Sequence, residues 1–133
     1  MTDRRIVVDH VSLLVSDVEA SRAFYGSALA ALGFTEQGRD DAGNTGYGLE
    51  EGDDFWIGQV LDGPPARGVH VAFAATSREE VDAFFTAALA AGGTARVPPG
   101  VQLQYSPRYY AAFVSDPDGN NIEAVFHSPD PLA

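Results

Sequence analysis

The chain has 133 residues, enough for one domain with a sizeable core, and sets nineteen acids against eight arginines with no lysine, for a formal net charge of −11. That charge repels phosphate backbones and anionic lipid, which argues against nucleic-acid and membrane partners, and the missing lysine removes Schiff-base chemistry and the usual phosphate-loop lysine. With no cysteine, disulfides, thiolate metal sites and cysteine nucleophiles are excluded, and the lack of an apolar leader points to a cytoplasmic setting.

Residues 6–15 are mostly β-branched or apolar and predict a first strand, with His10 and Ser12 on one face and Asp9 and Val11 on the other. Ser16 followed by Glu19 reads as a capping box for a helix whose apolar stripe is Ala20, Phe24, Ala28 and Ala31, ended by Gly33. Shorter strands are expected over 34–38, 45–50 and 54–61. A stretch with two prolines, 62–68, then predicts a linker. Beyond it the same order returns: a strand over 69–75, a capping box from Thr76 and Glu79, and a stripe of Val81, Phe84, Phe85, Ala88 and Leu89 before Gly92. Strands over 94–97, 109–115 and 121–127 follow, with a long loop expected from Pro98 to Pro107 and a tight turn at 116–120.

The return is a sequence repeat. Residues 10–34 and 70–94 align without a gap and share ten identities in twenty-five, among them His10/His70, Glu19/Glu79, Phe24/Phe84 and Gly33/Gly93. Later the offset grows from sixty to sixty-seven, so that the segment from Gly52 matches that from Gly119 and Trp56 falls against Glu123. The expected architecture is therefore α+β, with two β-α-β-β-β modules, 6–63 and 68–127, in a single domain spanning 1–133.

Glu123 is a carboxylate inside an otherwise apolar strand, where a charge is costly unless it is paired or holds a cation. With His10 and His70 it makes two imidazoles and one carboxylate, an open-sided set suited to a divalent ion such as Fe(II), Mn(II), Zn(II) or Ni(II).

The opening HVSLLVSDVEASRAFYGSALAALGF, the HVAF segment and the closing DPDGNNIEAVFH together resemble the vicinal oxygen chelate superfamily of glyoxalases, bleomycin resistance proteins and extradiol dioxygenases. The resemblance covers residues 6–127. It implies paired modules forming a curled mixed sheet around a cleft, metal ligands at His10, His70 and Glu123, a small-molecule substrate, and a homodimer. It further implies a metalloenzyme of lyase, isomerase or dioxygenase type. Three departures qualify that. Trp56 occupies the place where glyoxalase I usually has a fourth ligand, so the chain is not a standard four-ligand glyoxalase I. Phe113 stands where extradiol dioxygenases usually carry a tyrosine. Fosfomycin-modifying enzymes, which the hydroxyl of Ser12 resembles, supply several cations for a phosphonate; here Arg108 is one candidate, but lysine is absent and no arginine follows Glu123. The alternatives are an extradiol dioxygenase and a bleomycin-resistance-like protein that binds without chemistry.

The aromatic residues cluster in the strands and the long loop. Phe55 and Trp56 point to opposite faces of one strand, and the match to Glu123 assigns Trp56 to the cleft as a flat surface for a hydrophobic or aromatic substrate. Tyr47, Tyr105 and Phe113 are further candidates for its wall. Tyr109 and Tyr110 also point to opposite faces, and either hydroxyl could act as an acid or bond a substrate oxygen.

Overall fold

The computed structural model describes residues 4–50 and 52–132. Along the chain run β1 (Val11–Val15), α1 (Val18–Ala30), β2 (Thr35–Arg39), β3 (Thr45–Gly48) and β4 (Phe55–Gln59), then β5 (His70–Ala74), α2 (Arg78–Ala90), β6 (Thr94–Val101), β7 (Tyr109–Ser115) and β8 (Asn121–His127). The β-α-β-β-β order thus occurs twice. No helix among the described residues is long and apolar enough to cross a membrane.

Several local boundaries differ from expectation for identifiable reasons. The first strand begins at Val11, not residue 6, because its parallel partner β4 begins at Phe55, opposite Val11. Ile6, Val7 and Val8 lie outside the ladder and are exposed. The side chain of Asp17, not Ser16, caps α1 by accepting from the Glu19 and Ala20 amides, and Ser77, not Thr76, caps α2 by accepting from Glu80 N. Ser16 instead donates its hydroxyl to Asp118 Oδ1 at 2.5 Å. Pro98 and Pro99 belong to β6 and not to a loop: β6 is an edge strand, and its register shifts between Val97 and Gly100, where missing amides are tolerated.

The expected single curled sheet is not what forms. The strands make two separate four-stranded sheets, β1-β4-β3-β2 (sheet A) and β5-β8-β7-β6 (sheet B), neither closed nor strongly curled. Each is mixed, with one parallel pair (β1 with β4, β5 with β8) and antiparallel neighbours. Bulges bend strands, and the register shifts occur in the ladders of the far-edge strands β2 and β6, while the central pairs stay regular. Among the described residues, neither β1 nor β5 pairs across its outer edge.

One core serves both sheets. Phe24, Tyr25, Ala28 and Leu29 of α1 and Val81, Phe84 and Ala88 of α2 pack with Leu13, Val15, Phe55 and Ile57 of sheet A and Ala112, Val114, Ile122 and Ala124 of sheet B. Each large apolar side chain so buried contributes about 1.5–3 kcal/mol. The turn at 116–120 ties the modules together. Asp116 accepts from Tyr25 Oη at 2.5 Å, and Asn120 bonds to both Ala66 O and Val69 N. With their core side chains committed to one face, strands β7 and β8 turn Ala111, Phe113, Glu123 and Val125 toward the other.

Candidate functional site

That second face of sheet B carries a buried carboxylate, Glu123. Across β5, β8, β7 and β6 the paired residues Ala72, Glu123, Phe113 and Val97 form one row. Glu123 is only 1% exposed. An unpaired carboxylate at that depth would cost several kcal/mol, about as much as a small domain's margin of stability. Two partners offset the cost: His70 Nε2 lies 2.7 Å from Oε1, and Tyr109 Oη donates to Oε2 at 2.5 Å. Burial first, then the hydrogen bond and charge of Glu123, push the Tyr109 phenol well above its ordinary value, so it keeps its proton. Aromatic rings surround the pair, with Phe113 6.1 Å from His70 and Tyr105 and His127 at 4.9 and 5.2 Å from Tyr109.

The corresponding row in sheet A reads Ser12, Trp56, Gly46 and Gly38. Strand pairing here matches the internal repeat, since Ser12 lies beside Trp56 as Ala72 lies beside Glu123. In front of this row an open cleft of about 540 Å³ is lined by Ser12, Leu14, Trp56, Leu61, Asp40 and Asp62, among others. Phe55, on the opposite face, packs against Tyr25 and Phe73 in the core.

The remaining candidates fall in different places. His10 precedes β1, is exposed, and sets Nδ1 2.9 Å from Asp9 Oδ1. It does not join His70 and Glu123 within this chain: among the described residues no group of three or more His, Asp or Glu side chains is placed to hold a metal ion. Tyr47 is 2% exposed and belongs to the main core, where burial pushes its phenol up to about 12. Tyr110 turns to α2, donating to Asp82 Oδ1 at 2.7 Å beneath the Arg78 guanidinium. Arg108 and Tyr105 are exposed on the segment before β7. Gly38 and Gly46, beneath the Trp56 ring, escaped the sequence reading, although glycine within a strand signals close approach of another group.

The donor chemistry fits a divalent ion in kind, imidazole and carboxylate, and one chain brings two of the three donors together. Comparison with known proteins places the fold. The profile of the Glyoxalase/Bleomycin resistance protein/Dioxygenase superfamily matches residues 7–124. The chain belongs to that superfamily. A glyoxalase/bleomycin resistance protein from Albidiferax ferrireducens T118 is 35% identical, with 89% of this chain and 97% of that one covered and a TM-score of 0.77. Two superfamily structures at lower identity share the fold. A glyoxylase/bleomycin resistance protein/dioxygenase domain from Frankia sp. EAN1pec is 22% identical, with 95% of each chain covered and a TM-score of 0.69. A family enzyme from Burkholderia phytofirmans PsJN is 20% identical, with 90% and 98% covered and a TM-score of 0.68. No curated protein matches the chain. Within the chain, Glu123 with His70 and Tyr109 lies on one sheet, and Trp56 with its cleft lies on the other.

Proposed function

We propose that the protein is a divalent-metal-dependent enzyme acting on a small hydrophobic or aromatic substrate with neighbouring oxygens, its site assembled from two copies of the chain. The observation that carries this reading is Glu123, a buried carboxylate held between an imidazole and a phenol on a face that could have been apolar throughout. His10, His70 and Glu123 are the proposed ligands, for Fe(II), Mn(II), Zn(II) or Ni(II). His10 has an outer carboxylate at Nδ1, the contact that orients a ligating imidazole and leaves its Nε2 lone pair available. Support for two copies comes from the open outer edges of β1 and β5: His10 immediately precedes one and His70 begins the other. Meeting of those edges would bring His10 of one copy to His70 and Glu123 of the other. In this reading each chain is one cytoplasmic domain built from modules 6–63 and 68–127.

A bound ion supplies Lewis-acid polarisation of the substrate's chelated oxygens. The chain's own residues do the rest. Tyr109 keeps its proton at neutral pH and gives its one O–H to Glu123 Oε2; on turning from that carboxylate it would serve a substrate oxygen as hydrogen-bond donor or acid. Tyr110 gives its hydroxyl to Asp82, which favours Tyr109 for that role. Phe113, Tyr105 and Trp56 present rings that exclude water from the reacting atoms, while Ser12 and Arg108 are the polar groups at hand for substrate binding. The reaction class is lyase, isomerase or dioxygenase. With Trp56 in the row position matching Glu123, a four-ligand glyoxalase I site is not proposed.

Protein purified without chelator is expected to hold about one divalent ion per chain by elemental analysis, as a single three-ligand site requires. Glu123→Gln should lose that ion while keeping its circular dichroism spectrum. Full metal content in that variant would contradict the ligand assignment. Metal-free wild-type protein that still binds small hydrophobic ligands in the cleft would favour the second reading, sequestration without chemistry, which the size of the sheet A cleft supports.

A further inference from the structure

Resting on the reading of the cleft as a ligand site, the geometry points to Gly38 and Gly46 as specificity-determining residues: they seat the Trp56 indole flat on sheet A, so that the cleft selects a planar aromatic ligand that is neutral or cationic. A Cβ at Gly46 would fall 2.5 Å from Trp56 Cε2, 2.7 Å from Cζ2 and 2.9 Å from Cδ2, directly beneath the fused edge of the indole. One at Gly38, on the next strand, would fall 3.2 Å from Cη2. The ring therefore spans two strands with one face on glycine backbone, and it leaves the other face to the cleft. Space alone requires glycine at position 46, since Gly46 is not among the positive-φ glycines.

The two repeats differ here as a set. Sheet A has Trp56, Gly46 and Gly38 where sheet B has Glu123, Phe113 and Val97. In sheet B the neighbouring positions are filled by side chains around a compact carboxylate. In sheet A they are emptied beneath a large ring. Leu14 and Leu61 flank the cleft at 52% and 94% exposure, leaving apolar surface for a ligand to cover. A flat ring can stack on the indole over its whole area, with a gain beyond burial alone that a puckered saturated ring does not match. Asp40 and Asp62 are the charged lining residues, and among the described residues no arginine lines the cleft. The local field therefore opposes anions and favours cations, which also gain from the indole face.

The test uses full-length protein stripped of metal, titrated calorimetrically with three probes: 1-naphthylmethylammonium, cyclohexylmethylammonium and naphthalene-1-sulfonate. Trp56 is the chain's one tryptophan, so quenching of its emission reports whether a probe reaches the indole. The naphthyl cation should bind about fivefold or more tightly than the cyclohexyl cation and quench Trp56, in proportion to a stacking gain. The sulfonate should bind more weakly than either. Gly46→Val, which lifts the ring, and Trp56→Leu, which removes it without crowding, should both erase the aromatic preference, and the second variant keeps the test decisive if the first does not fold. Equal binding of the two cations, sulfonate binding as tight as the naphthyl cation, or an unchanged preference in Trp56→Leu would overturn the inference. An aromatic preference intact in protein that, as purified without chelator, holds no divalent ion would instead count against the metalloenzyme reading alone.

Discussion

Glu123 and Tyr25 are both buried polar side chains, yet their partners give them different roles. Glu123 meets an imidazole and a phenol on the face of sheet B turned away from the main core, whereas Tyr25 donates to Asp116 inside the joint between the modules. Burial, followed by the Asp116 charge, holds the Tyr25 phenol far above its ordinary value of about 10. A raised folded value means that the stability it contributes is fully present below about pH 10 and is lost as pH climbs through the folded value. Tyr47, pushed up to about 12 by burial, acts with the same sign. Denaturant unfolding should therefore show stability that these tyrosines leave flat from pH 7 to 9 and that falls above about pH 10. Tyr25→Phe should cost about 1–3 kcal/mol at pH 8, where a buried hydrogen bond to a carboxylate is lost, and should flatten the alkaline decline. An unchanged decline in that variant would show that Tyr25 does not carry it.

Among the elements, the alternation of strand and helix was legible from the repeat, because apolar period and turn residues agree in both copies. Their edges were not. Asp17 and Ser77 each follow another capping residue by one position, and composition alone cannot choose between adjacent oxygens that both suit a cap. The β-branched run at 6–8 does not reveal that β4, its would-be partner, starts too late to pair with it. Likewise the two prolines at 98–99 say loop unless the strand is known to lie at an edge. Asp17→Ala should lower stability by about 1 kcal/mol through loss of the α1 cap, measured by thermal melting. Gly93→Ala should cost more, about 1–3 kcal/mol, because its Cβ would fall 2.6 Å from the Phe24 ring and 2.9 Å from Ala88 O, where α2 ends against α1. A melting temperature unchanged by Gly93→Ala would mean that the helix pair relaxes around the added methyl.

For the whole molecule, the repeat offset led from sequence to the paired rows, since a residue's position across a sheet follows from register. It could not say whether the two rows meet, because that depends on which strand edges join. In one chain they do not join: two open sheets share a core through their helices, and among the described residues the outer edges of β1 and β5 make no ladder. His10 stands at one of those edges and the His70–Glu123 pair beside the other. The glycine seat under Trp56 was equally hidden, because a glycine in a strand marks a close approach without naming the group that makes it.

The central claim, a metal site shared between copies, is tested most directly by mixing two variants, His10→Ala and Glu123→Ala, each expected to bind no metal alone. After joint unfolding and refolding, mixed dimers should regain one intact site, with His10 supplied by one copy and His70 with Glu123 by the other. About half of the dimers in an equal mixture would be mixed, so metal content should recover to roughly a quarter of the wild-type value per chain by the symmetry of a two-copy interface. No recovery in dimers shown to have exchanged subunits, alongside a metal-replete wild type, would contradict a shared site.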